Sequence, residues 1–67
     1  MITPAGYRKL IGMTQKELAD IFGVSIQSIS RKEKGETPYT DKEKEIFRDL
    51  IRERAIPNIT IDEIFFK

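Results

Sequence analysis

The chain has 67 residues, with 12 Lys/Arg against 11 Asp/Glu, and neither cysteine nor histidine. A chain of this length supports one domain, here 1–67, with a small core of the kind that often needs a staple, a metal or a partner subunit. Without Cys or His there are no disulfides, no common zinc sites and no His- or Cys-based catalysis. Neither an enzyme nor a metal, cofactor or small-molecule ligand is therefore expected.

No apolar run approaches the ~20 residues of a membrane span. "MITPAG" has no basic region and no long apolar stretch of a signal peptide, so the expected location is the cytoplasm, with no membrane partner. Charge is unevenly distributed. Residues 1–35 hold six basic and three acidic side chains, net +3, and residues 36–67 hold six basic and eight acidic, net −2. A polyanion-binding face on the N-terminal half fits this split, and so does chance clustering.

In chain order, Thr3 and Pro4 read as an N-cap and a first-turn proline. The first helix runs to about Ile11, with Tyr7, Leu10 and Ile11 on one face, and stops at Gly12. Thr14 with Glu17 has capping-box spacing and opens a second helix, in which Leu18, Ile21 and Phe22 repeat the three-four spacing. Gly23 ends it. After Val24, Ser25 caps a third helix from Ile26 to Glu33 or Lys34, closed by Gly35, with Ile29 as its core anchor. "GETPYT" is a loop. Thr40 with Glu43 opens a charged fourth helix to about Ala55, with an apolar stripe of Ile46, Phe47, Leu50 and Ile51. Pro57 ends it. Thr60 with Glu63 marks a last short helix with Ile61, Ile64 and Phe65 inward, although "NITIDEIF" also begins with strand-like alternation. The expected fold is all-α, a compact bundle of four to five short helices.

The glycine turn between helices two and three is informative. A short Gly-containing turn between two helices at ~90–120° is a helix-turn-helix, here spanning about residues 14–34, whose second helix can enter a DNA major groove. That helix carries suitable chemistry in its first turns. Gln27 can bond adenine bidentately, Arg31 guanine, Ser28 either, and Ile26 can touch a thymine methyl. A merely solvated face would more often carry Glu-Lys pairs, as "DKEKE" does in the fourth helix.

The stretch "MTQKELADIFGVSIQSISRKEKG" resembles the helix-turn-helix of the lambda-repressor/Cro-like regulators, the XRE family. Met13, Thr14, Gln15, Leu18, Ala19, Gly23, Val24, Ser25, Ile29, Ser30, Glu33 and Gly35 fall at the family's positions. The resemblance implies a lambda-repressor-like fold and binding to double-stranded DNA. It implies that Gln15, beside Thr14, reaches a DNA phosphate and also touches a base or a recognition-helix side chain. Ser25, Gln27, Ser28 and Arg31 fall on the usual contact positions. It further implies an ion pair between Arg8 and Glu33 that fastens helix one to helix three. Ile26 stands where several relatives have a polar residue, so it either reads a methyl or packs inward. The acidic fourth helix is a poor DNA surface.

Other positions carry two readings. Lys32 and Lys34 lie near phosphates or are plain surface lysines. Thr37 and Tyr39 sit where relatives bond the DNA backbone, but Tyr39 can equally pack as core. Leu10, Leu18, Ile21, Phe22, Val24, Ile29, Phe47, Leu50 and Ile51 are expected in the core. The apolar segment 58–67 either closes the bundle or forms a homodimer contact through Ile59, Ile61, Phe65 and Phe66. The expected function is a sequence-specific transcriptional regulator. It is read as a repressor of a phage, prophage or mobile element, bound as a dimer to a pseudo-palindromic operator. The alternative is a protein-interaction module of the same fold, such as an antitoxin or adaptor.

Overall fold

The computed structural model describes residues 2–66; Met1 and Lys67, the two ends of the expected domain, lie outside the described residues. Five helices follow one another: α1 Pro4–Leu10, α2 Gln15–Phe22, α3 Ile26–Glu33, α4 Asp41–Arg54 and α5 Ile61–Phe65. Among the described residues there is no strand. The segment with strand-like alternation is thus helical from Ile61. A capping box decides it: the Thr60 hydroxyl accepts from Glu63 N while the Glu63 carboxylate accepts from Thr60 N.

Side-chain caps open every helix. Thr3, Thr14, Ser25, Thr40 and Thr60 each accept from a backbone N–H three residues on, satisfying a donor that the helix leaves orphaned. At the end of α2, Gly23 takes φ +73°, its N–H donates to Asp20 O, and Val24 N–H donates to Ala19 O. This is a Schellman motif, and it turns the chain into α3 without a long loop. The same bond pattern closes α1 and α3 at Gly12 and Gly35.

One core lies between the helices. Phe47, Leu18, Ile29, Ile51 and Ile64 are its largest fully buried side chains, contributed by α2, α3, α4 and α5. Each is worth about 1.5–3 kcal/mol in burial. Tyr7 and Ile11 bring α1 into the same core, and Met13 joins it from the turn after α1. Phe47 meets Phe22 edge-on at 6.4 Å and Phe65 at 6.0 Å.

Two expected core residues are on the surface. Leu10 is 53% and Ile21 43% exposed. In α1 the buried stripe is Tyr7–Ile11, four apart, which leaves Leu10 to one side. In α2 the stripe runs through Leu18, Ala19 and Phe22, and the small Ala19 draws the neighbouring helix to its own side, away from Ile21.

Candidate nucleic-acid interface

The candidate interface is built around α3. Ile29 is fully buried and sets the inner face of the helix. Gln27 and Arg31, four apart, therefore share the outer face, with Lys34 one turn on, and all three are exposed. Ser28 is half-buried at the edge of this face, and Ile26 is 44% exposed rather than packed inward. An eight-residue helix is about 12 Å long, which suits a major groove ~12 Å wide.

Electrostatics favour an anion at this end. The first turn of α3 holds no acidic residue, whereas those of α2, α4 and α5 do. The positive end of its dipole is thus not neutralised by a neighbouring side chain. In α2 the carboxylate is engaged: hydrogen bonds from the Thr14 backbone and side chain hold the Glu17 pKa below its ordinary value. Thr14 and Ser25 are exposed caps at the starts of the two helices.

Glu33, the one acid within α3, faces inward. Arg8 Nε donates to Glu33 Oε2 at 2.6 Å and Arg8 Nη2 to Oε1 at 3.3 Å, while Arg8 Nη1 donates to Met13 O at 2.8 Å. Both side chains of the pair are under a tenth exposed. Gln15 joins them, donating from Nε2 to Glu33 Oε1 at 2.9 Å. The start of α2, the end of α3 and the body of α1 are thereby held in one register.

Lys32 requires a correction. The sequence places it near a phosphate or on the plain surface, yet it is 8% exposed and its ammonium donates to Glu43 Oε2, in the first turn of α4. Lying three residues after Ile29, it shares the inner face, and an ammonium placed there needs a carboxylate. Glu43 is the residue that the sequence reading missed, because its capping-box role already accounted for it. One of its oxygens does accept from Thr40 N, at 2.9 Å, and the other takes Lys32.

Tyr39 takes the packing reading. Its ring packs against Phe65, centroids 4.9 Å apart and planes tilted by 56°. Burial, then the Glu33 and Glu43 carboxylates, push its hydroxyl pKa well above the ordinary value, with Arg8 opposing. Thr37 is exposed in the same loop.

The C-terminal apolar residues divide. Ile59 is 2% exposed and packs in the core, so it is not available to a second copy; Arg52 Nε donates to its carbonyl at 2.7 Å and pins the loop. Phe65 lies between Tyr39 and Phe47, half-buried, with part of its ring lining the groove described below. Ile61 is half-buried, and Phe66 is 57% exposed with the Lys44 ammonium 4.4 Å from its ring centre. A groove of about 480 Å³ lies beside it, between the start of α1, the end of α3, the 37–39 loop and α5.

A helix-turn-helix family model matches residues 6–42, from the first turn of α1 into the start of α4. The chain belongs to the XRE-type helix-turn-helix family. It is therefore a DNA-binding protein of the transcription-regulator type, with the Cro/lambda-repressor-like fold. No curated protein and no solved structure gives a significant match. Among the described residues no group of His, Cys, Asp or Glu is placed to hold a metal, and no helix is long and apolar enough to cross a membrane.

Proposed function

We propose that this protein is a repressor of a phage, prophage or mobile element that acts by occupying a pseudo-palindromic operator as a homodimer in the bacterial cytoplasm. In this reading Gln27, Ser28, Arg31 and Ile26 meet base edges in the major groove. Gln15, Ser25, Thr14, Lys34 and Thr37 meet the DNA backbone. The outward row Gln27–Arg31–Lys34, with Glu33 withdrawn into an ion pair, is the observation that carries it. It leaves α3 a face of donors and positive charge with no exposed carboxylate.

Size supports the dimer. The Cα envelope is 29 Å along its longest axis, and successive major-groove faces are ~34 Å apart. One copy carries one such helix and does not span two half-sites. The exposed Phe66 and the half-buried Ile61 are the apolar residues proposed for the contact. Repression follows from occupancy alone, through binding that excludes other proteins from the same DNA.

Selection of random duplexes on the purified protein, at two salt concentrations, tests the proposal. The expected result is a palindrome with two short half-sites about one helical turn apart, lost in the double variant Gln27→Ala/Arg31→Ala. Recovery of no motif, with binding that vanishes as salt rises, would leave only phosphate attraction and would favour the interaction-module reading.

A further inference from the structure

We infer that Glu33 is a positioning residue for DNA recognition, locking the Gln15 carboxamide in one orientation before DNA arrives. The inference rests on the proposed DNA contact of Gln15. A carboxylate only accepts hydrogen bonds. Gln15 must therefore turn its nitrogen toward Glu33 Oε1, 2.9 Å away, because the flipped amide would set oxygen against oxygen.

Glu33 is itself fixed. Arg8 grips both of its oxygens and is anchored in turn on Met13 O. The chain of contacts thus runs from α1 through the inner side of α3 to the first residue of α2. What remains for DNA is set in advance: the second N–H of Gln15, matched to an acceptor such as a phosphate oxygen, and its Oε1, matched to a donor. Ordering a rotamer-rich side chain beforehand is worth roughly two- to tenfold in affinity. The sequence places Gln15 and Glu33 18 residues apart, and only the fold makes them partners.

A double-mutant cycle on the selected operator tests this, using Gln15→Ala, Glu33→Gln and the pair, each verified as folded by circular dichroism. Each single variant is expected to bind roughly two- to tenfold more weakly, and the pair no more weakly than Gln15→Ala alone. Additive losses would show that Glu33 acts through the fold only and would overturn the inference. A second measurement needs no variant. In the free wild-type protein, the Gln15 Nε2 proton that faces Glu33 should exchange with water more slowly than its partner on the same nitrogen; two protons that exchange equally freely would also overturn it. A wild-type protein without sequence preference would remove the DNA reading itself, a failure distinguishable because the amide signals would still report the lock.

Discussion

Replacing Lys32 by Met separates two roles that a lysine on a recognition helix can have. The side chains of Lys32 and Glu43 are each 7% exposed, so the substitution leaves a buried carboxylate without its cation. Unpairing a buried salt bridge costs about 3–5 kcal/mol. Glu43 keeps one compensation, since its other oxygen still accepts from Thr40 N. Its place in the first turn of α4 adds about 0.3–1 kcal/mol of dipole stabilisation. The expected loss is therefore about 2–4 kcal/mol. Domains generally have about 5–15 kcal/mol in all, and for one of this size the loss corresponds to roughly 10–30 °C in Tm.

Urea unfolding followed by circular dichroism reads this loss directly. The double variant Lys32→Met/Glu43→Gln should recover most of it, because the charge is gone and the Gln oxygen can still cap Thr40. DNA binding by folded Lys32→Met should keep the salt dependence of the wild type. A phosphate-contacting lysine behaves oppositely. Lys34→Ala should lower the slope of log K against log salt by about 0.9 with little change in stability. A Lys32→Met protein within about 1 kcal/mol of wild type, as for exposed ion pairs, with a reduced salt slope, would refute the reasoning.

Two further outcomes can be measured on the same apparatus. Gly23→Ala should cost about 1–2 kcal/mol, all of it conformational, because φ is +73° and nothing lies within 4 Å of an added Cβ; urea unfolding unchanged from wild type would contradict this. The raised pKa of Tyr39 makes stability sensitive to alkali. A tyrosine harder to ionise folded than unfolded contributes fully below its ordinary pKa of 10.0 and loses that contribution as pH rises above it. Wild-type stability should therefore fall above about pH 10, and Tyr39→Phe should remove that part of the fall, which a pH series of urea midpoints would show.

Local signals made the helices legible. Each start in the chain is a hydroxyl followed three residues later by a backbone N–H that it caps, and three of the turns are glycines at Schellman positions. Such bonds close over a few residues, so their partners can be read off directly. The turn and the outward Gln27–Arg31 row follow from the same short-range periodicity. The family resemblance supplied the matching of Arg8 with Glu33, which spacing alone does not contain. The errors lie where a side chain's partner is remote in sequence. Lys32 looked like one of a surface trio with Arg31 and Lys34 until α4 brought Glu43 across 11 residues. For Ile59 the sequence leaves open a bundle or a dimer contact, and it packs in the common core, its loop held by Arg52. Leu10 and Ile21 failed for a related reason: three-four spacing offers two adjacent stripes, and tertiary packing chose between them.

The sorting of charge on α3 explains how a helix rich in ions can be both a core element and an exposed face of positive charge. Four consecutive charged residues, Arg31 to Lys34, lie on a helix that also carries the fully buried Ile29. The helical period sends Lys32 and Glu33 to the inner side and Arg31 and Lys34 to the outer. The inner two have opposite sign, and each finds an ion of its own, Glu43 on α4 and Arg8 on α1. Both of those partnerships fasten α3 to another helix. They also remove from the outer surface the one carboxylate of α3 that would repel a phosphate. Fixing the helix and clearing its face are therefore the same structural act, and a change to either inner ion should register in the fold before it registers in the charge of the outer face.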